Sequence, residues 1–186
     1  MTTTITGATG VNQITDDAIT AAKLPAGSVL QVVGNTRVHG NDHATTSTSY
    51  VDSGLITGTI TPVAAGSKFT VMFGGFHPHF HGDTINYGIH WKVFRSINGG
   101  AYAAYDGGGH DGGIHTEGVS NNSWVDFDGV CQIFDSPSYT LTNTISYKIY
   151  MARHSAGNNT GYINHTGGAN NGLTQTTRVT IQEIAG

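Results

Sequence analysis

Basic residues are scarce in this chain. Eight lysines and arginines stand against twelve aspartates and glutamates, a formal net charge of −4, so no basic stripe can neutralise phosphates and nucleic acid is not an expected partner. The same shortage removes the electrostatic attraction to an anionic membrane surface. No apolar run approaches the roughly 20 residues that a membrane span needs. The amino terminus, Met1-Thr2-Thr3-Thr4-Ile5-Thr6, lacks the positive region and apolar core of a signal peptide. Neither a membrane partner nor Sec-type secretion is expected. A single cysteine, Cys131, rules out an intrachain disulfide and a four-cysteine zinc site. Set in an apolar run between Val130 and Gln132, it reads as a buried core thiol. Charged residues make up 11% of the chain against a usual share of about 25%, which leaves too little Glu and Lys for a coiled coil or a long amphipathic helix.

Glycine, threonine, serine and asparagine fill the space. The 27 glycines and an apolar content of 37% arranged in organised runs favour short strands and glycine-rich turns over disorder. Residues 1–27 read differently from the rest. They hold few large apolar groups and one short helical turn, Asp16 to Lys23, which Leu24-Pro25-Ala26-Gly27 ends. This is an extended attachment arm, with Ile14, Ile19 and Leu24 as its apolar contacts, and it is ordered only by packing on another subunit or a larger assembly. Residues 28–186 form the head domain, where apolar residues recur with period two. The segments are Val29–Val33, Ser49–Ile60 with a break at Gly54, Phe69–Phe80, Asn86–Arg95, Tyr102–Tyr105, Trp124–Phe134, Ile145–Arg153, Tyr162–Asn164 and Thr176–Ile184. Tyr87, Ile89, Trp91 and Val93 share one face, as do Ile145, Tyr147, Ile149 and Met151, and these faces make the core. The expected fold is all-β: an antiparallel jelly-roll-type β-sandwich of about eight strands with an extended N-terminal arm.

The stretch Asp16-Asp17-Ala18-Ile19-Thr20-Ala21-Ala22-Lys23-Leu24 resembles the D-x-A-I-T-x-A-K-L unit of bacteriophage tail fibres and related virion proteins. Gly54-Leu55 through Ile60-Thr61-Pro62, then Ser67-Lys68, is similar to a strand pair of the β-rich heads that follow that unit. Asp135-Ser136-Pro137 and the closing Thr180-Ile181-Gln182-Glu183-Ile184 are similar to later landmarks. The resemblance implies a non-enzymatic virion protein, usually a homotrimer, made in the host cytoplasm and carried on the particle exterior. Its arm would join other phage capsid or tail proteins. One copy of the arm motif, with no repeated shaft, points to a capsid decoration, a head fibre or a short tail fibre. An alternative is a tail protein that binds a host receptor or surface glycan.

The densest group of chemically active side chains is Phe76-His77-Pro78-His79-Phe80-His81-Gly82-Asp83, followed by His90. On an extended strand His77, His79 and His81 fall on one side, Pro78 and Phe80 on the other. Neutral imidazoles at this spacing can share one zinc or iron, and three chains around a threefold axis would supply six nitrogens to an interface metal. The competing reading needs no cofactor: partly exposed histidines beside a loop, filling a polar gap between subunits. Pro78 removes a ladder donor, which predicts an edge or a bulge there. His79-x-His81 followed by Asp83 resembles the first metal motif of cupins, which are jelly rolls, and would imply a metalloenzyme. The spacing to Asp83 is too short, however, and no downstream histidine stands in the second motif's setting.

Asp106 to Glu117 mixes glycines with His110, Asp111 and His115 but lacks the spaced carboxylates of an EF-hand, and reads as a long mobile loop with His110 and His115 as ligand contacts. Asn158, Asn159, Tyr162 and His165 sit in a polar stretch whose amide and aromatic groups suit a sugar; solvated turns are the alternative. There is no Gly-x-Ser-x-Gly elbow and no Gly-Lys-Ser/Thr phosphate loop. No catalytic residue is expected.

Overall fold

A computed structural model describes residues 23–39, 43–82, 87–116, 123–126, 128–154, 160–164 and 175–186. The strands are β1 (Val29–His39), β2 (His43–Thr45), β3 (Val51–Ile60), β4 (Lys68–Phe76), β5 (Pro78–Gly82), β6 (Tyr87–Ile97), β7 (Ala103–Ala104), β8 (Gly112–Thr116), β9 (Ser123–Asp126), β10 (Gly129–Asp135), β11 (Ile145–Arg153), β12 (Thr160–Ile163) and β13 (Gln175–Ile184). One sheet runs β1-β13-β4-β10 and a second β3-β11-β6, with β7 and β8 on the outer edge of β6. Counting β7 and β8 as one interrupted strand, the eight main strands lie in the orders 1-8-3-6 and 2-7-4-5. That is the jelly-roll path, and every pairing in it is antiparallel.

Period-two alternation in β4, β6, β10, β11 and β13 sends one set of side chains between the sheets. Phe69, Val71, Phe73, Ile89, Val93, Ile145, Tyr147, Ile149, Val179 and Ile181 are all buried there. Cys131 is in this core, and burial pushes its thiol up to about 12, so it packs as an apolar group.

A third sheet, β2-β12-β5-β9, closes one end of the sandwich. It is built from extensions of both main sheets, since β5 continues β4, β9 leads into β10 and β12 follows β11. The strand that crosses over must bend, and Gly75 supplies the bend. It is the extra residue where the β4–β10 register shifts, its φ is +70°, and a Cβ there would run into the carbonyl oxygen of Thr176. At His77 the chain leaves its β13 partner for β12. Asn164, at φ +56°, covers the gap: its amide donates to His77 O (2.8 Å), its Oδ1 accepts from His77 N (2.7 Å) and its Nδ2 donates to Thr177 Oγ1 (3.2 Å). The expected break at Pro78 is present, but β5 is a central strand rather than an edge, with the proline as its first residue.

Two buried polar ties hold the other end. Asp135 on β10 accepts two bonds from Arg95 Nη1 on β6 (2.6 and 2.7 Å) and one from the Tyr147 hydroxyl on β11 (2.9 Å), joining the two main sheets. Glu183 on β13 is fully buried. Its carboxylate accepts from Gln31 Nε2 (2.6 Å), Ser67 Oγ (2.7 Å), Val63 N (3.0 Å) and Ala64 N (3.1 Å), so one side chain fastens β1, β13 and the turn between β3 and β4. Burial alone would raise its pKa. The bonds from Ser67, Gln31 and the Val63 and Ala64 amides outweigh it and hold the carboxyl below its ordinary value of 4.5. A carboxyl depressed in the folded state stabilises fully above the unfolded value and loses that stabilisation as pH falls through the folded value. Replacing Glu183→Gln is expected to cost about 2–3 kcal/mol at pH 7. In urea titrations from pH 7 to pH 3, the gap between wild type and variant should narrow below about pH 4.

Candidate functional site

Strand direction sorts the connections into two groups. β1 runs from Val29 to His39, β4 from Lys68 to Phe76 and β11 from Ile145 to Arg153, while β3, β6, β10 and β13 run the opposite way. Residues 23–28, 61–67, 98–102, 136–144 and 185–186 therefore gather at one end, here the arm end. The third sheet and the connections between β5 and β6, β8 and β9, β11 and β12, and β12 and β13 start and finish at the other, here the far end. Strands of about ten residues at about 3.3 Å each separate the two by roughly 33 Å.

At the arm end, Gly27 N donates to Ala185 O (2.9 Å) and Ala185 N to Ser28 O (2.8 Å), continuing the β1–β13 ladder outward. Leu24 lines an apolar groove of about 460 Å³ with Val63, Ala64, Ala65, Leu141, Ala185 and Gly186. Of the expected arm contacts, Leu24 is thus on the wall of this groove, with its side chain exposed. Ile14 and Ile19 lie outside the described residues.

The histidine segment lies at the far end. His77 sits at the break between β4 and β5, with Nε2 3.0 Å from Oδ1 of the exposed Asp128. His79 is buried on β5 and meets the Tyr162 ring edge-on at 5.2 Å. His81 pairs with Trp124 on one side and Thr160 on the other. His77 and His79 thus meet different neighbours, Asp128 and Tyr162, and the His81 side chain lies outside the described residues. Among the described residues no three His, Cys, Asp or Glu side chains stand where they could hold one metal ion.

Of the ligand-contact residues, Tyr162 is half-buried on β12 and His115, on β8, pairs with Gly88 of β6. Asn158, Asn159 and His165 lie outside the described residues. His110 joins two histidines that sequence reasoning did not connect to it. Its ring stacks on His90 at 4.3 Å, and His90 Nε2 is 3.0 Å from His154 Nδ1. Register shows why: His90 pairs with Ala152 and Gly113, so the end of β11 and the start of β8 deliver their neighbours to one ring.

The glycine-rich segment differs from the expected mobile loop. Gly112 to Thr116 is strand β8, and Gly112 and Gly113 lie where a Cβ would overlap the rings of Trp91 and His90. The remainder, Tyr105 to Asp111, is an insertion between β7 and β8 that folds over the outer face of β6. Beneath it Lys92 is buried, with Nζ 2.6 Å from Asp106 Oδ1, 3.9 Å from Asp111 Oδ1 and bonded to Gly108 O. Asp111 also accepts from Val93 N (2.6 Å) and from the Tyr105 hydroxyl (3.3 Å). Burial raises the Asp111 carboxyl. At Asp106 burial acts the same way but is outweighed by the Lys92 and Gly108 bonds, which hold that carboxyl low. The cation these carboxylates face is the chain's own ammonium. Beside the insertion, Tyr50, Phe94, Tyr150 and Tyr102 form a chain of ring contacts, Phe94 and Tyr150 stacked at 4.0 Å. Over β6 and the adjoining part of β11, the outer face of this sheet is covered by its own side chains.

No protein-family model matches the chain, and no curated protein does. Among solved structures, a chain of the T13 IBDV viral particle is similar at 15% identity, with a TM-score of 0.30, over 85% of this chain and 37% of that one. This chain thus matches little more than a third of that chain's length, and the jelly-roll assignment rests on strand order.

Lys92→Met would leave the buried Asp111 facing no ammonium and release the insertion. The variant is expected to lose about 3 kcal/mol and to become cleavable between Tyr105 and Gly112 in limited proteolysis that leaves the wild type intact. Equal resistance of the two proteins would remove Lys92 as the pin.

Proposed function

We propose that the chain is a non-enzymatic virion structural protein: an oligomeric phage surface appendage, attached through its arm end and exposed at its far end. The observation that carries this reading is the separation of the two ends. The last residue of the arm motif, Leu24, lies beside the Glu183 tie, while the histidine-rich and asparagine-rich connections start and finish at the opposite end. A body with one anchored pole and one presented pole fits attachment to a particle. The likeness of residues 16–24 to a tail-fibre unit and the neutral, glycine-rich composition support the same role.

The arm works by binding energy. Residues 1–27 hold too little apolar surface for a core of their own, so ordering them needs contacts on a capsid or tail protein to offset the lost chain entropy. A second reading shares the architecture: the far end, where His110 and Tyr162 lie, reads a host receptor or glycan. It adds the requirement that the free head binds host cells or polysaccharide and that His110→Ala and Tyr162→Ala weaken this binding.

Deleting residues 1–22 keeps Leu24, with the groove it lines, and the Gly27–Ala185 bond in place. The truncated chain is expected to stay soluble and folded, with a melting temperature close to that of the full chain, and to be missing from purified particles when it is the only copy supplied. Normal incorporation of the truncated head would refute attachment through the arm.

A further inference from the structure

The two main sheets differ on their outer faces. The β3-β11-β6 sheet is covered, over β6 and the adjoining part of β11, by the aromatic chain and the insertion pinned by Lys92. Among the described residues nothing covers the β1-β13-β4-β10 sheet, yet its outward positions are not those of a solvated face. Val29, Val32, Val38, Met72, Val130 and Phe134 are all exposed there, between 44% and 64%. β10 reads apolar on both sides, with Cys131 and Ile133 inward and Val130 and Phe134 outward. Antiparallel strands with one wet face normally alternate, and apolar residues on both faces mark a strand covered twice. The outward positions carry two cations, Lys68 and Arg178, and no carboxylate.

We propose that this face pairs with the same face of a second copy of the chain, about a two-fold axis that runs parallel to the strands between β13 and β4. The register allows the pairing to be followed row by row. Val32, Gln182, Thr70 and Phe134 form one row across the four strands; Gly34, Thr180, Met72 and Gln132 the next; Thr36, Arg178, Gly74 and Val130 the third. The axis exchanges β1 with β10 and β13 with β4. Val32 then meets Phe134 of the second copy, Thr180 meets Met72, and Gln132 meets Gly34.

The central rows are neutral, and shape suits this partner. Arg178 falls over Gly74, where the space above the backbone is open, and Lys68 falls over Ile184; each stands beside its symmetry mate across the axis, in the rows at the two ends of the face, so their long stems must carry the like charges past those ends to water. A hollow of about 250 Å³ lined by Gly34, Asn35, Thr36, Arg178, Val179 and Thr180 lies where Gln132 and Val130 of the second copy arrive. Four strands about 4.8 Å apart and about nine residues long give a face of roughly 600 Å² in projection. Its corrugated accessible surface then approaches the roughly 800 Å² per partner of a standard interface. Contact through one self-complementary face yields an even number of copies, in place of the three that the phage resemblance implies. The inference does not depend on where the arm docks.

The test is the mass of the full chain by sedimentation equilibrium across a dilution series, for wild type and for Val130→Asp with Phe134→Asp. The wild type is expected to be a dimer or a higher even oligomer. The double variant is expected to halve that mass with an unchanged melting temperature. A wild-type monomer, or a trimer whose mass the substitutions leave alone, would overturn the proposal; a monomer would hand the face to an unlike partner or to residues 1–22. Geometry is tested separately by cysteine pairs. Val32 and Phe134 lie three strands apart in one chain, about 14 Å, too far for an internal disulfide. Mild oxidation should therefore cross-link Val32→Cys/Phe134→Cys into covalent dimers, with little cross-linking of either single variant. Equal cross-linking in all three would contradict the axis.

Discussion

A carboxylate sealed from water at the end of the last strand is the constraint around which the arm end is organised. Glu183 cannot be tolerated there unless its oxygens are satisfied, and the groups that satisfy them come from β1 and the Val63–Ser67 turn. The chain's first strand, its last strand and the turn between β3 and β4 are thereby held at one point. Asp135, Arg95 and Tyr147 repeat the device between the sheets a short distance away. The groove that Leu24 lines includes Val63, Ala64 and Ala185, beside these ties, so the place from which the arm departs is also where β1, β13 and the two main sheets are fastened.

The far end is held by other means. Gly75 bends β4 out of its sheet, Asn164 satisfies the backbone of His77 where the pairing changes, and the small third sheet carries the histidines across the end of the sandwich. Function, on the proposed reading, follows from this polarity: one pole transmits attachment and the other carries the connections that vary in shape and chemistry. The flanks divide in the same way. One main sheet shields the outer face of β6 and the adjoining part of β11 with aromatic rings and a pinned insertion; the other leaves apolar side chains outward in a pattern that a second copy complements.

Much of the fold was legible because burial imposes period two. Ile145–Arg153 is a strand with the expected bounds, and its inward set Ile145, Tyr147, Ile149 and Met151 is core. Phe69–Phe80 and Trp124–Phe134 proved to be two strands each, divided where the chain bends into the third sheet, a tertiary event that alternation does not record. β8 escaped notice because its glycines, which read as loop, are there to clear the rings of Trp91 and His90. The sequence did not single out Lys92 or Glu183 as buried charges, because an insertion folded over one and a turn folded over the other bury them. The histidine segment was located, but not its neighbours: Asp128 beside His77 and Tyr162 beside His79 come from other strands and connections. The trio His90, His110 and His154 left no mark in sequence spacing, since the pairing of β6 with β11 and β8 and the fold of the insertion bring it together.

The central claim is that the arm end faces the particle and the far end faces outward. Epitope tags inserted one at a time, in the Asn98-Gly99-Gly100 turn at the arm end and between Thr116 and Ser123 at the far end, make this measurable by antibody binding to intact particles. The account predicts that the far-end tag is bound in full and that the arm-end tag is bound only after the particles are disassembled. Binding of the arm-end tag on intact particles, with the far-end tag hidden, would contradict it.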